Sequence, residues 1–188
     1  MRLREGQPAP LFEGYDLYER YVNLSHYAGR MVLVSFYRAA VCPLCNVRLW
    51  HMANRYATYQ QMGLEIIGFV ESHADVAHHY LDRMPLPFPL IPDRYRAIYS
   101  LYGLERSLPR ILFARVKRWR VYREAARLGI GGNDWENLTR YDGQFSRMPG
   151  DFLLGPDLAV RRAHYGSDAG DFMLFSELES LLQRYGRY

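Results

Sequence analysis

Met31-Val32-Leu33-Val34-Ser35-Phe36-Tyr37-Arg38-Ala39-Ala40-Val41-Cys42-Pro43-Leu44-Cys45-Asn46 is the stretch on which the fold turns. Its first seven residues are an apolar run rich in strand formers, bounded by a polar turn, and predict a buried strand. Pro43 suits the first position of a helix, where its missing N–H would be unpaired anyway, so Cys42 becomes the N-cap. The helix then runs to about Gln61 on Val47, Leu49, Trp50, Ala53 and Tyr56, and Gly63 closes it. Leu64 to Val70 reads as a second buried strand. Strand, helix, strand in this order predicts parallel pairing through a right-handed crossover.

Cys42 and Cys45 are the chain's only cysteines. Two cysteines placed at random would fall three apart about one time in a hundred, so the spacing points to use. A thiolate at a helix N-terminus faces unpaired backbone N–H groups and the positive end of the helix dipole. Such a site lowers a cysteine pKa from about 8.5 into the range of roughly 3.5–7.5. Arg38, four residues earlier, adds positive charge if it turns inward. Cys45, one helical turn on, is placed to attack an adduct formed at Cys42. Structural zinc would need four ligands, with histidines drawn from His51, His73, His78 and His79, two of which are adjacent and diverge on a helix. Redox chemistry is the stronger expectation.

Outward from this centre, Gly6 to Phe12 is extended and Pro-rich. Ala74 to Arg83 predicts a helix. Pro85, Pro87, Pro89 and Pro92 enforce an extended stretch, and Arg94 to Tyr102 predicts a short helix closed by Gly103. Leu108 to Leu128 has helical periodicity and carries Arg110, Arg115, Lys117, Arg118, Arg120, Arg123 and Arg127 against Glu124. Such a face is ordinarily a solvated one; the alternative is an interface or anion-steering surface. Gly129 to Ser146 reads as a loop, with residues 129–135 its most permissive part. Asp151–Leu154 and Leu158–His164 predict two strands, and Phe172–Tyr185 a closing helix.

The 188 residues fit one domain, and 49% of them are apolar, enough for a sizeable core. No run approaches the ~18 apolar residues of a membrane span. The N-terminal residues lack the apolar core of a signal peptide, so the expectation is a cytoplasmic protein. There a cysteine pair stays reduced unless redox chemistry is its purpose. The net charge of +4 is too modest to point to nucleic acid.

Phe36-Tyr37-Arg38-Ala39-Ala40-Val41-Cys42-Pro43-Leu44-Cys45-Asn46 resembles the Phe-Tyr-Arg-Gly-x-Trp-Cys-Pro-x-Cys-Asn motif of peroxiredoxin-like proteins of the AhpC/TSA family. Gly6 to Phe12, Asn23 to Arg30, Met148 to Leu154 and His164 to Asp171 are similar to further segments of that family. Residues 108 to 146 have no counterpart and read as an insertion. The resemblance implies an α/β thioredoxin-like fold, a central mixed sheet flanked by helices. It implies Cys42 as nucleophile, Cys45 as resolving thiol and Pro149, after the insertion, as a cis-proline facing the dyad. It implies no cofactor. A cellular dithiol of thioredoxin or glutathione type would regenerate the pair, and a homodimer fits the family.

The chain departs from that pattern at Ala40-Val41, which replaces the aromatic-bearing stretch before the first cysteine, and at two further points. Ala39 stands where peroxiredoxins keep a threonine or serine hydroxyl, and Pro149 where they keep an arginine. Arg38 and Arg147 are the arginines nearby in sequence. The expected activity is therefore a thiol oxidoreductase acting on disulfides or hydroperoxides. The alternative is a redox sensor or adaptor whose partner binding depends on the oxidation state of the dyad.

Overall fold

The computed structural model describes residues 2–82, 84–130, 142–143 and 146–185. Its centre is a five-stranded mixed sheet in the order β5-β4-β3-β6-β7, formed by β3 (Met31–Tyr37), β4 (Leu64–Val70), β5 (Leu90–Pro92), β6 (Gly150–Leu154) and β7 (Val160–Tyr165). β3 pairs parallel with β4 in the register Met31–Leu64 through Tyr37–Val70, and β4 pairs parallel with β5. β6 lies antiparallel to β3, with Phe36 opposite Gly150, and β7 antiparallel to β6. The crossover between β3 and β4 is α1 (Pro43–Gln61). A hairpin of β1 (Glu13–Tyr15) and β2 (Tyr21–Asn23) forms a separate two-stranded sheet.

All seven residues of β3 are buried, because both faces of the sheet are covered. Alternation sends Met31, Leu33 and Tyr37 to one side, where they pack with Leu44, Leu49 and Met52 of α1 and with Leu178 and Leu182 of the closing helix. Val32, Val34 and Phe36 go to the other side, against Phe12, Leu24, Tyr99 and Tyr102. Two polar residues join the first side. Ser35 Oγ donates to Asp151 Oδ1 on β6, and Arg48 of α1 reaches Asp151 Oδ2 at 3.4 Å. The Met173 N–H donates to the same carboxylate oxygen at 2.8 Å. Buried charge is thus paired between two strands, α1 and the C-terminal segment.

The remaining helices are α2 (Ala74–Leu81), α3 (Ala97–Leu101), α4 (Leu108–Lys117), α5 (Trp119–Leu128) and α6 (Phe175–Tyr185). The single periodic segment expected over 108–128 is two helices. The chain leaves helical geometry at Arg118, at φ −104° and ψ 20°, where Asp168 grips its side chain. α5 packs on α1, with Ala125 buried and Glu124 Oε1 2.8 Å from His51 Nε2. Gly129 ends α5 at φ +65°, a left-handed conformation suited to glycine. Of the loop expected over 129–146, residues 131–141 and 144–145 lie outside the described residues, including most of the permissive stretch 129–135. No described helix is long and apolar enough to cross a membrane.

Candidate redox site

The dyad sits where β3 gives way to α1. Cys42 is the N-cap of α1, with extended backbone at φ −76° and ψ 112°, and Pro43 follows at the first helical turn. The turn before it is held from three sides. The Cys42 N–H donates to Ala39 O at 3.0 Å, the Ala40 N–H to Ser72 Oγ at 2.9 Å, and Asn46 Nδ2 to Ala40 O at 2.9 Å. Both cysteines are free thiols, Cys42 being 4% exposed and Cys45 1%. Among the described residues no group of three or more His, Cys, Asp or Glu is placed to hold a metal ion.

Arg38 does turn inward. Its Nη1 lies 3.4 Å from Cys42 Sγ, and its backbone N–H donates to Cys45 Sγ at 3.3 Å. One residue thus contacts both sulfurs, and the Glu71 N–H fixes its carbonyl at 3.1 Å. The electrostatic outcome is asymmetric. The Cys45 thiol donating to its sulfur brings Cys42 down to about 6, against the opposing effect of burial. The Arg38 charge and the N–H groups of Cys45 and Leu44 add to the lowering. Burial, reinforced by the neighbouring Cys42, pushes Cys45 well up. Cys42 is therefore mostly thiolate at neutral pH, and Cys45 keeps its proton.

Pro149 corrects the expectation drawn from the resemblance. No cis peptide bond occurs among the described residues, so Met148–Pro149 is trans. The chain here is extended and pinned on both sides. Arg147 bridges antiparallel to Arg106, the Met148 N–H donates to Glu105 O at 3.1 Å, and the Gly166 N–H to Pro149 O at 2.9 Å. A run that needs no reversal keeps the lower-energy trans isomer. Pro149 is buried, one residue beyond the Phe36–Gly150 pair and so at the dyad's end of the sheet.

Arg147 is committed elsewhere. Its Nε lies 2.7 Å from Glu71 Oε2 and its Nη1 donates to Leu104 O at 2.8 Å. Of the two arginines singled out by sequence, Arg38 alone is seen in contact with the thiols.

A second feature has no signature in the sequence. Asp142 accepts from Ser72 Oγ at 2.8 Å and from the His73 N–H at 2.6 Å. Gly143 follows, and a Cβ placed there would lie 2.5 Å from Glu71 O and 2.9 Å from the Ala39 methyl. The chain thus presses onto Ala39 with only a glycine to spare. Its partners are about 70 residues apart in sequence, beyond the reach of any local pattern.

A strand-to-helix dithiol with one acidified sulfur, on a mixed sheet of this order, defines a thiol redox protein of the thioredoxin fold. The AhpC/TSA family model matches residues 5–162, and the chain belongs to that family. The thiol-disulfide oxidoreductase ResA of Halalkalibacterium halodurans is 30% identical over 107 residues, 56% of this chain and 60% of ResA. A Mycobacterium tuberculosis protein named as a candidate peroxiredoxin is 30% identical over 102 residues, 54% of this chain and 65% of that protein. The matches thus span less than two thirds of either relative. Among solved structures, the peroxidoxin BcpB of Mycobacterium tuberculosis superposes with a TM-score of 0.66 at 14% identity, over 97% of this chain and 96% of that one. That likeness speaks for the fold.

Proposed function

We propose that the protein is a thiol–disulfide oxidoreductase working through a Cys42/Cys45 cycle. The observation that carries this reading is the shared grip of Arg38 on both sulfurs, with Cys42 lowered and Cys45 raised. The Cys42 thiolate attacks a substrate disulfide, forming a mixed disulfide and releasing one substrate thiolate, which takes up a proton. Cys45 then gives up its proton and attacks Cys42 Sγ. That step releases the second substrate thiol and leaves a Cys42–Cys45 disulfide. The Arg38 N–H, 3.3 Å from Cys45 Sγ, is positioned to stabilise the charge that Cys45 acquires. A dithiol reductant returns the pair to thiols.

Disulfides are favoured over hydroperoxides as the substrate class. Ala39 offers no hydroxyl to orient a peroxide, and Gly143 packs against its methyl. The preorganised donors that would stabilise a peroxide transition state are reduced to Arg38 and the first N–H groups of α1. The test exposes reduced protein to oxidised glutathione, hydrogen peroxide and an organic hydroperoxide and follows free thiols with time. Oxidation fastest with the disulfide, and abolished in Cys42→Ser, is the expected result. Undiminished turnover in Cys42→Ser would remove the assignment, and faster oxidation by peroxide would reverse the substrate order.

A further inference from the structure

We propose that the outer face of α5, formed by Trp119, Arg120, Arg123 and Arg127, is the docking surface for an acidic dithiol protein that reduces the Cys42–Cys45 disulfide. The proposal rests on the exchange cycle above. At 3.6 residues per turn these four side chains fall within an arc of about 100°. The opposite face carries the buried Ala125, and Val121 and Tyr122, which pack against the core that contains Cys42, Leu44 and Cys45. The stripe is exposed, with Trp119 at 49%, an unusual position for an indole. Arg120 and Arg123 lie over the indole ring, their Cζ atoms 5.6 and 5.2 Å from its centroid. No ion pair involves Arg120, Arg123 or Arg127 among the described residues, whereas the preceding Lys117 and Arg118 are both bound to Asp168. Among the described residues the stripe therefore presents three guanidinium groups without a carboxylate partner, around an aromatic anchor, residue types that dominate binding energy at interfaces.

Its position suits an electron donor to the dyad. Gly170 lies between Leu44, inside the dyad, and Arg118, immediately before Trp119. A Cβ at Gly170 would be 3.2 Å from Leu44 Cδ1 and 3.5 Å from Arg118 Cγ. The stripe thus begins one residue after Arg118, which meets the same glycine as Leu44. Cys42 is only 4% exposed, so a partner sulfur must arrive in a narrow range of orientations, and docking contacts on the helix that packs on α1 would set that orientation. The three guanidinium groups call for an acidic partner, and the reductant is the partner through which every turnover passes, whatever the oxidised substrate. Its thiolate attacks Cys42 Sγ and displaces Cys45, which takes a proton. Its second thiol then releases Cys42 as thiolate, and the partner departs as a disulfide. Two electrons pass from partner to dyad. An acidic surface beside that partner's dithiol complements the guanidinium stripe.

The experiment compares reduction of the oxidised full chain by an acidic thioredoxin, kept reduced by its own reductase, with reduction by dithiothreitol. The proteins are wild type, Trp119→Ala and the triple charge reversal Arg120→Glu, Arg123→Glu, Arg127→Glu. These positions are exposed, and glutamate is as good a helix former as arginine. The expected result is a rate constant with thioredoxin at least about tenfold lower in both variants, falling with salt in wild type, and dithiothreitol rates unchanged throughout. Wild-type rates with thioredoxin in the charge-reversed protein would overturn the proposal. So would a wild-type disulfide that dithiothreitol reduces and thioredoxin does not. If no Cys42–Cys45 disulfide forms at all, the exchange cycle itself has failed, an outcome separate from failure of docking.

Discussion

At the scale of single residues, Arg38 is the residue that contacts both sulfurs, adding to the lowering of Cys42 that the Cys45 thiol dominates. Its guanidinium and its backbone N–H act on different sulfurs, so one side chain can tune Cys42 while the main chain serves Cys45. Replacing it with methionine keeps most of the packing volume and removes the charge. The Cys42 pKa should then rise from about 6 by about one pH unit, read from the ultraviolet absorbance of the thiolate. The backbone hydrogen bond to Cys45 should survive. A lowered pKa in the folded state stabilises the protein above the thiol's unfolded pKa, and that contribution is lost as pH falls through about 6. Arg38→Met should therefore show a weaker decline of melting temperature between neutral pH and pH 5. The spacing of Arg38 and Cys42 allowed an inward turn of the arginine without requiring it. The contact with Cys45 was not legible in the sequence, because a backbone N–H leaves no trace in residue identity. Pro149 carries the opposite lesson: its motif was recognisable, yet the peptide bond before it is trans.

At the scale of elements, the site rests on a clamp between β3, β6, α1 and the segment before α6. Asp151 has no exposed surface and satisfies Ser35, Arg48 and the Met173 N–H together. The Arg48 guanidinium also lies 4.0 Å from the Phe175 ring centroid, which extends the clamp to α6. Asp151→Ala would leave a buried guanidinium without its carboxylate and an N–H without its acceptor. The expected loss is about 3–5 kcal/mol, measured by chemical denaturation. An unchanged midpoint would show that the pair is solvated in solution. Elements with strong local patterns were readable: β3, β4 and α1 announce themselves by apolar runs and by Pro43. The β1–β2 hairpin was missed because its strands are three residues each and largely exposed. β5 was read only as extended chain, since its Pro-rich surroundings mask Leu90 and Ile91. The break between α4 and α5 has no glycine or proline to mark it; a contact with Asp168, 50 residues away, sets it.

At the scale of the whole molecule, the sheet organises the chemistry. Parallel pairing of β3 with β4 places Arg38 beside Glu71, both just beyond the strand ends, and antiparallel β6 brings the segment around Arg147 to the same end. Residues 142–143 then close over Ala39, and α5 covers α1. The fold class follows from local sequence and family resemblance, whereas this enclosure depends on contacts distant in sequence. It nearly excludes both thiols from water, which by itself opposes ionisation; Cys42 is acidified by the hydrogen bond from Cys45, the Arg38 charge and the first N–H groups of α1. The most direct measurement traps the thiols of the intact reduced chain with iodoacetamide across pH and maps the products by mass spectrometry. The account predicts modification at Cys42, with a midpoint near pH 6 and Cys45 left unmodified. Modification of Cys45 first, or of both thiols with a common midpoint near the free-cysteine value of about 8.5, would contradict it.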